Sequence, residues 1–462
     1  MFYDNLDRFG EKISLVYNNE CITYVELQEK VNLIKKQLLT KGLLFSVCDN
    51  VPESMYGYLA CLQEEVPVVM INNAISREMF DTLVQCYLPA YIWAPKAFVS
   101  DGNVIFSLGE YVLCTLNQNI DYEINSEIAV LLTTSGSTGS PKLVRQSRKN
   151  IQSNTESIIE YLGINSDDCA ITTLPMHYTY GLSIVQTHIA AGATIVLTNA
   201  NVIQPHFWEL VKEWEVTTFG GVPYTYEMLN KIHFLNKDLP TLRYITQAGG
   251  RLGRELHLKF ATGCKEKGIE FIVMYGQTEA TARMSYVPFV NSIDKAGSIG
   301  IAIPGGKLCI KDDEGNDITE PRRTGELVYI GDNVTMGYAE SYRDLNKGYD
   351  NGNVLFTGDM ATFDEDGYFY IVGRKKRFLK LFGSRVNLDE VESILKSKEI
   401  DCAITGVDDK MVVYITRDDE TEKVKDCIKE NTTIAKFAYT IRVIEAIPRN
   451  EAGKILYSAL EV

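Results

Sequence analysis

The sequence predicts an α/β protein in two parts. A large N-terminal domain of α/β layers with a β-rich subdomain (residues 1–373) precedes a small, mobile α+β C-terminal domain (374–462). Three observations predict it. Apolar strand-like runs alternate with helix-period segments up to about residue 283. Beyond that point, short β-like runs are separated by glycines. A basic cluster, Arg374-Lys375-Lys376-Arg377, then opens a fresh alternation of helix and strand patterns in a charged, linker-like stretch. A chain of 462 residues is also too long for one core.

In order along the chain, Leu27, Val31, Ile34 and Leu38 recur at helical spacing after Thr23-Tyr24, and Gly42 is expected to stop that helix. Residues 66–71 (VPVVMI) read as a buried strand, as do 128–132 and 193–197, while 150–162 and 205–214 read as helices. Strands alternating with helices imply largely parallel sheets. The β-rich part is read from 307–310, 326–330, 354–356 and 368–372. A helix at 388–395, strands at 403–407 and 411–416, a charged helix and a strand at 439–443 complete the C-terminal domain.

Composition narrows the function. The net charge of −15 excludes a broad nucleic-acid-binding face, which needs a surplus of Lys and Arg. The 10 cysteines show no CxxC spacing and are not bracketed by the 5 histidines, so they read as small core hydrophobes of a reducing compartment rather than a zinc site or disulfide scaffold. The opening MFYDNLDRFGEK places acidic residues where a secretory signal needs a basic start. The longest apolar stretch, 180–197, is interrupted by Gln186 and His188 and reads poorly as a membrane span. A cytoplasmic protein without membrane or nucleic-acid partners is expected.

The most informative segment is TTSGSTGSPKLV, residues 133–144, directly after the apolar run at 128–132. Glycines let backbone N–H groups approach phosphate oxygens, hydroxyls add donors, and Lys142 adds positive charge. A flexible Ser/Gly turn is the plain alternative. A Walker A loop fails on spacing, because Pro141 falls where the second Gly belongs and Leu143 where Ser or Thr is required. A nucleophile elbow fails too, since Thr133 or Ser135 stands where Gly must precede the serine.

The segment resembles the phosphate loop of the adenylate-forming (ANL) superfamily: acyl- and aryl-CoA synthetases, luciferases and peptide-synthetase adenylation domains. Further segments match in order. They are YGQTE at 275–279, TGD at 357–359, Gly373-Arg374 with Lys380, Gly383 and Arg385, and PRNEAGK at 448–454. The resemblance spans nearly the whole chain. It implies an AMP-forming acid–thiol ligase that uses ATP and Mg²⁺ to convert a carboxylic acid to an acyl-adenylate, then passes the acyl group to a thiol.

It also implies residue roles. Thr134, Ser135, Gly136, Ser137, Thr138, Gly139 and Lys142 would hold the β- and γ-phosphates. Thr278 would sit near the α-phosphate, and Glu279 would ligate Mg²⁺, a hard cation suited to carboxylate oxygen. Tyr275, beside Gly276, would lie against adenine, with Ala248, Gly249 and Gly250 as the opposing backbone wall. Asp359 would accept hydrogen bonds from the ribose hydroxyls, assisted by Arg374. Lys454 would bridge the substrate carboxylate and the α-phosphate. Lys376 would be the hinge, and Gly383 would admit a pantetheine arm. Each motif alone has a plain reading: a solvated carboxylate, a turn, a basic run or a surface lysine.

The pattern departs from the superfamily in two places. Leu143 follows the loop lysine where Gly is common. In LPMHYTYG, residues 174–181, Tyr178 falls on the position usually held by His or another aromatic, with His177 beside it; either shapes the pocket or gates the nucleotide. His177 as a general base competes with a packed loop histidine. Acid-pocket walls are expected from Tyr178, Tyr180, Gly181, Gly220, Gly221, Gln247 and Ala248. Their aromatic and glycine content suggests a small or medium acyl or aryl acid, and the lack of Asp at 178–183 disfavours an α-amino acid. CoA is the expected acceptor, a carrier protein the alternative, and a non-catalytic nucleotide-binding regulator the reading from another class.

Overall fold

Among the described α-helices, hydroxyl caps start three and left-handed glycines end two. Thr23 opens helix Tyr24–Lys35 in a reciprocal capping box with Glu26, and Ser147 opens Arg148–Leu162 in the same way with Asn150. Gly163 (φ 59°) closes the latter helix, and Gly192 (φ 70°) closes Thr179–Ala191. The first helix stops short of the expected Gly42. After Lys35 the N–H groups of Gln37 and Leu38 donate to carbonyls three residues back, tightening the last turn, and Leu38 is buried in the core. The computed structural model describes residues 1–99, 103–116, 122–133, 142–381, 384–432, 434–449 and 455–460.

The described chain divides into two compact units. The first holds residues 1–297, 302–307 and 330–355; the second holds 298–301, 308–329 and 356–462. The β-rich segment therefore groups with the C-terminal residues.

Two sheets build the first unit. In one, strands Ile13–Tyr17, Thr194–Val196, Cys169–Ile171, Thr218–Gly221, Tyr244–Gln247 and Glu270–Tyr275 run parallel in that spatial order. Glu20–Thr23 and Ser285–Tyr286 add antiparallel strands towards its two edges. In the other, Tyr91–Pro95, Leu44–Cys48, Val68–Asn72 and Ile128–Thr133 form the parallel centre. Leu143–Ser147 returns antiparallel to Ile128–Thr133 and pairs in turn with Tyr338–Ala339. The expected parallel sheets are thus mixed at their margins. Near-continuous burial of Val68, Val69, Met70 and Ile71 and of Ile128 to Leu132 explains why these runs carry no alternation: both faces are covered.

The second unit pairs Lys307–Lys311, Gly325–Ile330, Val354–Phe363 and Phe369–Arg374 in one sheet. Its C-terminal part packs helices Leu388–Lys396 and Thr421–Asn431 on the sheet of Cys402–Val407, Lys410–Ile415 and Tyr439–Val443. Leu388, Val391 and Leu395, at helical spacing, meet Ile404, Val413 and Ile428 in its core. The cysteines are free thiols, and seven are buried, as small core hydrophobes should be.

Candidate active site

Parallel strands end together at their carboxyl ends, where an α/β sheet leaves room for ligands. Register places Gly221 beside Gln247, and Gln247 beside Val273, so the expected pocket segments arrive at one edge of the sheet. Close approach then demands glycine. A Cβ on Gly249 would lie 2.5 Å from the Tyr178 hydroxyl, one on Gly220 2.7 Å from the Tyr180 hydroxyl, and one on Gly181 2.3 Å from the Pro175 carbonyl oxygen. Tyr180 and Tyr226 both donate to the Thr246 carbonyl, at 2.9 and 2.8 Å, fixing the aromatic wall to the strand. The Gln247 amide donates to the carbonyls of Ala248 and Gly250, holding the turn that follows. Burial pushes the hydroxyls of Tyr178 and Tyr180 up to about 12, so both serve as neutral walls rather than bases. His177 is half-buried in the same loop.

The YGQTE segment lies at the end of the neighbouring strand. Tyr275 is the last residue of Glu270–Tyr275, and a Cβ on Gly276 would come within 1.8 Å of the Ala282 carbonyl oxygen. Thr278–Ala280 forms a single 3₁₀ turn, ended by Thr281 at φ 64°, a conformation costly for a β-branched residue. Surrounding donors hold this turn by its backbone. Thr335 donates from its N–H and its hydroxyl to the Glu279 carbonyl at 3.0 Å, Asn333 donates to the Ala280 carbonyl, and Gln146 and Thr179 donate to that of Thr281.

The Glu279 carboxylate is engaged separately. Its Oε1 accepts a 2.6 Å hydrogen bond from the Tyr338 hydroxyl, and Lys142 Nζ lies 3.6 Å from the centre of the Tyr338 ring. Burial and the adjacent Glu279 raise the Tyr338 pKa, so the phenol stays a donor. Charge-assisted bonds of this kind contribute about 1.5–3 kcal/mol. The structure thus joins the lysine at the end of the Ser/Gly loop to the carboxylate of YGQTE, segments more than a hundred residues apart. Thr133 closes strand Ile128–Thr133 and is exposed; residues 134–139 of the loop lie outside the described residues.

Among the described residues no group of three or more His, Cys, Asp or Glu forms a metal cage. One accessible carboxylate beside a lysine suits Mg²⁺, which is commonly held by one or two carboxylates with the rest of its shell from phosphate and water.

Asp359 and Arg374 belong to the second unit. They face one another across strands Val354–Phe363 and Phe369–Arg374, Arg374 Nε lying 3.7 Å from the Asp359 carboxylate. Lys376 falls in the turn Lys375–Arg377. Gly383 and Lys454 lie outside the described residues.

Sequence reasoning missed Tyr338 and Arg283. Tyr338 sits in MGYAES, whose only signal was an aromatic beside a glycine. Arg283 is 2 % exposed. Its guanidinium lies 4.6 Å from the Tyr180 ring centre and donates to Ser183 Oγ at 3.1 Å and Tyr161 Oη at 3.3 Å. It braces the start of the pocket helix, and nothing in its immediate sequence distinguishes it from a surface arginine.

Known proteins resemble the chain in sequence and in fold. The family model described as AMP-binding enzyme matches residues 2–339. A 2-succinylbenzoate–CoA ligase of Bacillus pumilus is 24% identical, the match covering 96% of this chain and 94% of the relative. A luciferin 4-monooxygenase of Nipponoluciola cruciata is 27% identical over 73% of this chain and 64% of its own. Among solved structures, the O-succinylbenzoate coenzyme A synthetase of Bacillus subtilis in complex with AMP superposes with a TM-score of 0.81 at 22% identity, covering 100% of this chain and 98% of that one. The ATP-bound MatB of Rhodopseudomonas palustris does so at 0.78 and 20%, covering 99% and 98%.

Proposed function

The chain belongs to the AMP-binding enzyme family, and from that premise we propose that it is an AMP-forming acid–thiol ligase. It activates a carboxylic acid with ATP as an acyl-adenylate, releases pyrophosphate, and transfers the acyl group to CoA. The observation that carries this reading is the convergence of Lys142 and Glu279 on Tyr338. A cation and a carboxylate held on one phenol, with no direct ion pair between them among the described residues, suit a polyphosphate with its metal ion.

The residues divide the work. The Ser/Gly loop from Thr134 to Gly139 and Lys142 hold the outer phosphates, Thr278 the α-phosphate, and Glu279 the cation. Mg²⁺, when bound, neutralises phosphate charge. Tyr275 and the Ala248–Gly250 turn bind the adenine; Asp359 and Arg374 bind the ribose. Lys454 steadies the charge that develops as the carboxylate oxygen attacks the α-phosphorus and the bond to pyrophosphate breaks. Residues 374–462 then re-orient about Lys376, admitting the thiol past Gly383.

The pocket walls of Tyr178, Tyr180 and the paired glycines favour an aryl or medium acyl acid. Because its relatives are named for it, 2-succinylbenzoate is the first acid to test. The decisive experiment is acid-dependent pyrophosphate release over a carboxylic-acid panel, with and without CoA. Release with one or a few acids, followed by acyl-CoA formation, is expected. Release without CoA transfer points to a carrier-protein acceptor, and no acid-stimulated release from the panel overturns the ligase reading in favour of a nucleotide-binding regulator.

A further inference from the structure

Tyr338 belongs to none of the motifs that carry the resemblance, yet it touches two of their residues. Its backbone is already secured without its side chain. Tyr338 pairs with Val144 across strand Leu143–Ser147, its carbonyl accepts from Arg145 Nε at 3.1 Å, and its N–H donates to Asp350 at 3.3 Å. Arg145 is fully buried and also donates to the Met336 and Lys347 carbonyls, so it locks the segment before and after the tyrosine. The hydroxyl has no comparable duty in holding the strand. Among the described residues its one hydrogen bond runs at 2.6 Å to a half-buried carboxylate, and its ring lies under a lysine ammonium.

Those two contacts restrain different degrees of freedom. The hydrogen bond takes Glu279 Oε1 and fixes the carboxylate plane, and the described residues offer Oε2 no hydrogen bond. The ring face fixes the Lys142 ammonium by cation–π attraction while keeping all three of its N–H donors for oxygen ligands. A tyrosine placed between the two also keeps them from collapsing into a direct ion pair, which would remove both from service. A leucine there would do neither.

We propose that Tyr338 is a positioning residue for the nucleotide–metal site, setting Glu279 for a divalent cation and Lys142 for the phosphates. This rests on the ligase reading above. A positioned ligand is already in place when the cation arrives, so losing the restraint weakens cation binding before it alters anything else.

The test uses the full chain, Mn²⁺ as a spectroscopic stand-in for Mg²⁺, and two variants. Tyr338→Phe keeps the ring and removes the hydroxyl; Tyr338→Leu removes both. Electron paramagnetic resonance of free Mn²⁺ reads cation binding in the presence of ATP, calorimetry reads ATP binding without metal, and thermal unfolding reports folding. Tyr338→Phe should weaken Mn²⁺ binding about tenfold with metal-free ATP affinity unchanged. Tyr338→Leu should weaken metal-free ATP binding several-fold as well. If Tyr338→Leu does not fold, Tyr338→Phe carries the test alone. Mn²⁺ affinity of Tyr338→Phe within twofold of wild type overturns the proposal while the ligase reading stands. A wild-type chain that holds no ATP–Mn²⁺ overturns both.

Discussion

Among the described residues the same side-chain arrangement occurs in both units, open in one and closed in the other. In the first unit a cation, Lys142, lies over a tyrosine ring at 3.6 Å, and that tyrosine, Tyr338, donates to a carboxylate, Glu279, at 2.6 Å. In the second unit Arg377 lies 3.8 Å from the ring centre of Tyr457, which donates to Glu392 at 2.9 Å. The difference is closure. Arg377 also pairs directly with Glu392 at 2.6 Å and with Asp389 at 2.5 Å, and Glu392 further accepts from Ile404 N and Lys396. Among the described residues, Lys142 and Glu279 meet only through the phenol. A closed triad satisfies its charges internally, whereas an open one leaves charge unmatched by its own members. Burial follows the same division: the Arg377 and Glu392 side chains are 11% and 5% exposed, while Lys142 and Glu279 are only half-buried.

The open triad is broken most severely at its carboxylate. Glu279→Gln preserves shape and the acceptor for Tyr338 but removes the negative charge a hard cation requires. Acid-dependent pyrophosphate release should fall by a factor of roughly 10²–10³, the size typical for loss of one transition-state charge contact. Thermal unfolding without ligand should stay close to wild type, because no buried partner is orphaned. A large loss of stability with modest loss of rate would place Glu279 among the structural residues, and the contrast between the two triads would fail.

The closed triad should give the mirror image. Arg377→Met leaves the buried Glu392 with less positive charge, and removing one partner of a buried pair commonly costs about 3 kcal/mol. Urea unfolding should register that loss, while Mn²⁺ binding in the presence of ATP should be unchanged. Closure also fixes the segment from Arg374 to Arg377, since Asp389 accepts from the Arg374 N–H at 3.0 Å as well as from Arg377. A stability loss well under 1 kcal/mol would show that solvent, not Glu392, balances Arg377.

These two clusters also show what could be read in the sequence. Glu279 and Lys142 were legible because backbone-dependent chemistry leaves short, local marks: glycines where a ligand or chain must approach, a carboxylate at a turn, an apolar strand just before. Several strands and helices were legible for the same local reason, through uninterrupted apolar runs and helical spacing of apolar residues, whereas helices such as Pro52–Gln63 and Arg254–Glu266 were not. Tyr338 and Arg283 were not, because each acts across the fold, on a partner distant in sequence. The end of helix Tyr24–Lys35 was missed because a 3₁₀ turn with Leu38 in the core, rather than Gly42, terminates it. Grouping of the β-rich strands with the C-terminal residues was equally invisible, being a property of packing and not of pattern.

The smallest effect concerns a buried polar group that carries no charge. His257 is 1% exposed; its Nδ1 accepts the Gly297 N–H at 3.2 Å, so its Nε2 carries the proton and donates to Ser292 Oγ at 3.1 Å. Burial lowers its pKa from 6.5 to about 4, with Arg254 adding to the effect. A depressed folded-state value means that the unfolded chain binds the proton first. The stabilisation is therefore complete above about pH 6.5 and is lost as pH falls towards 4, amounting to about 2 kcal/mol between pH 8 and pH 5. His257→Gln supplies an acceptor and a donor without a titrating ring. Urea unfolding at the two pH values should show a smaller acid-induced loss for the variant than for wild type. Burial and the neighbouring Glu392 push the Tyr457 hydroxyl far above this pH range, so Tyr457→Phe should leave the pH dependence parallel to wild type. Parallel curves for His257→Gln would mean that the acid sensitivity does not reside in His257.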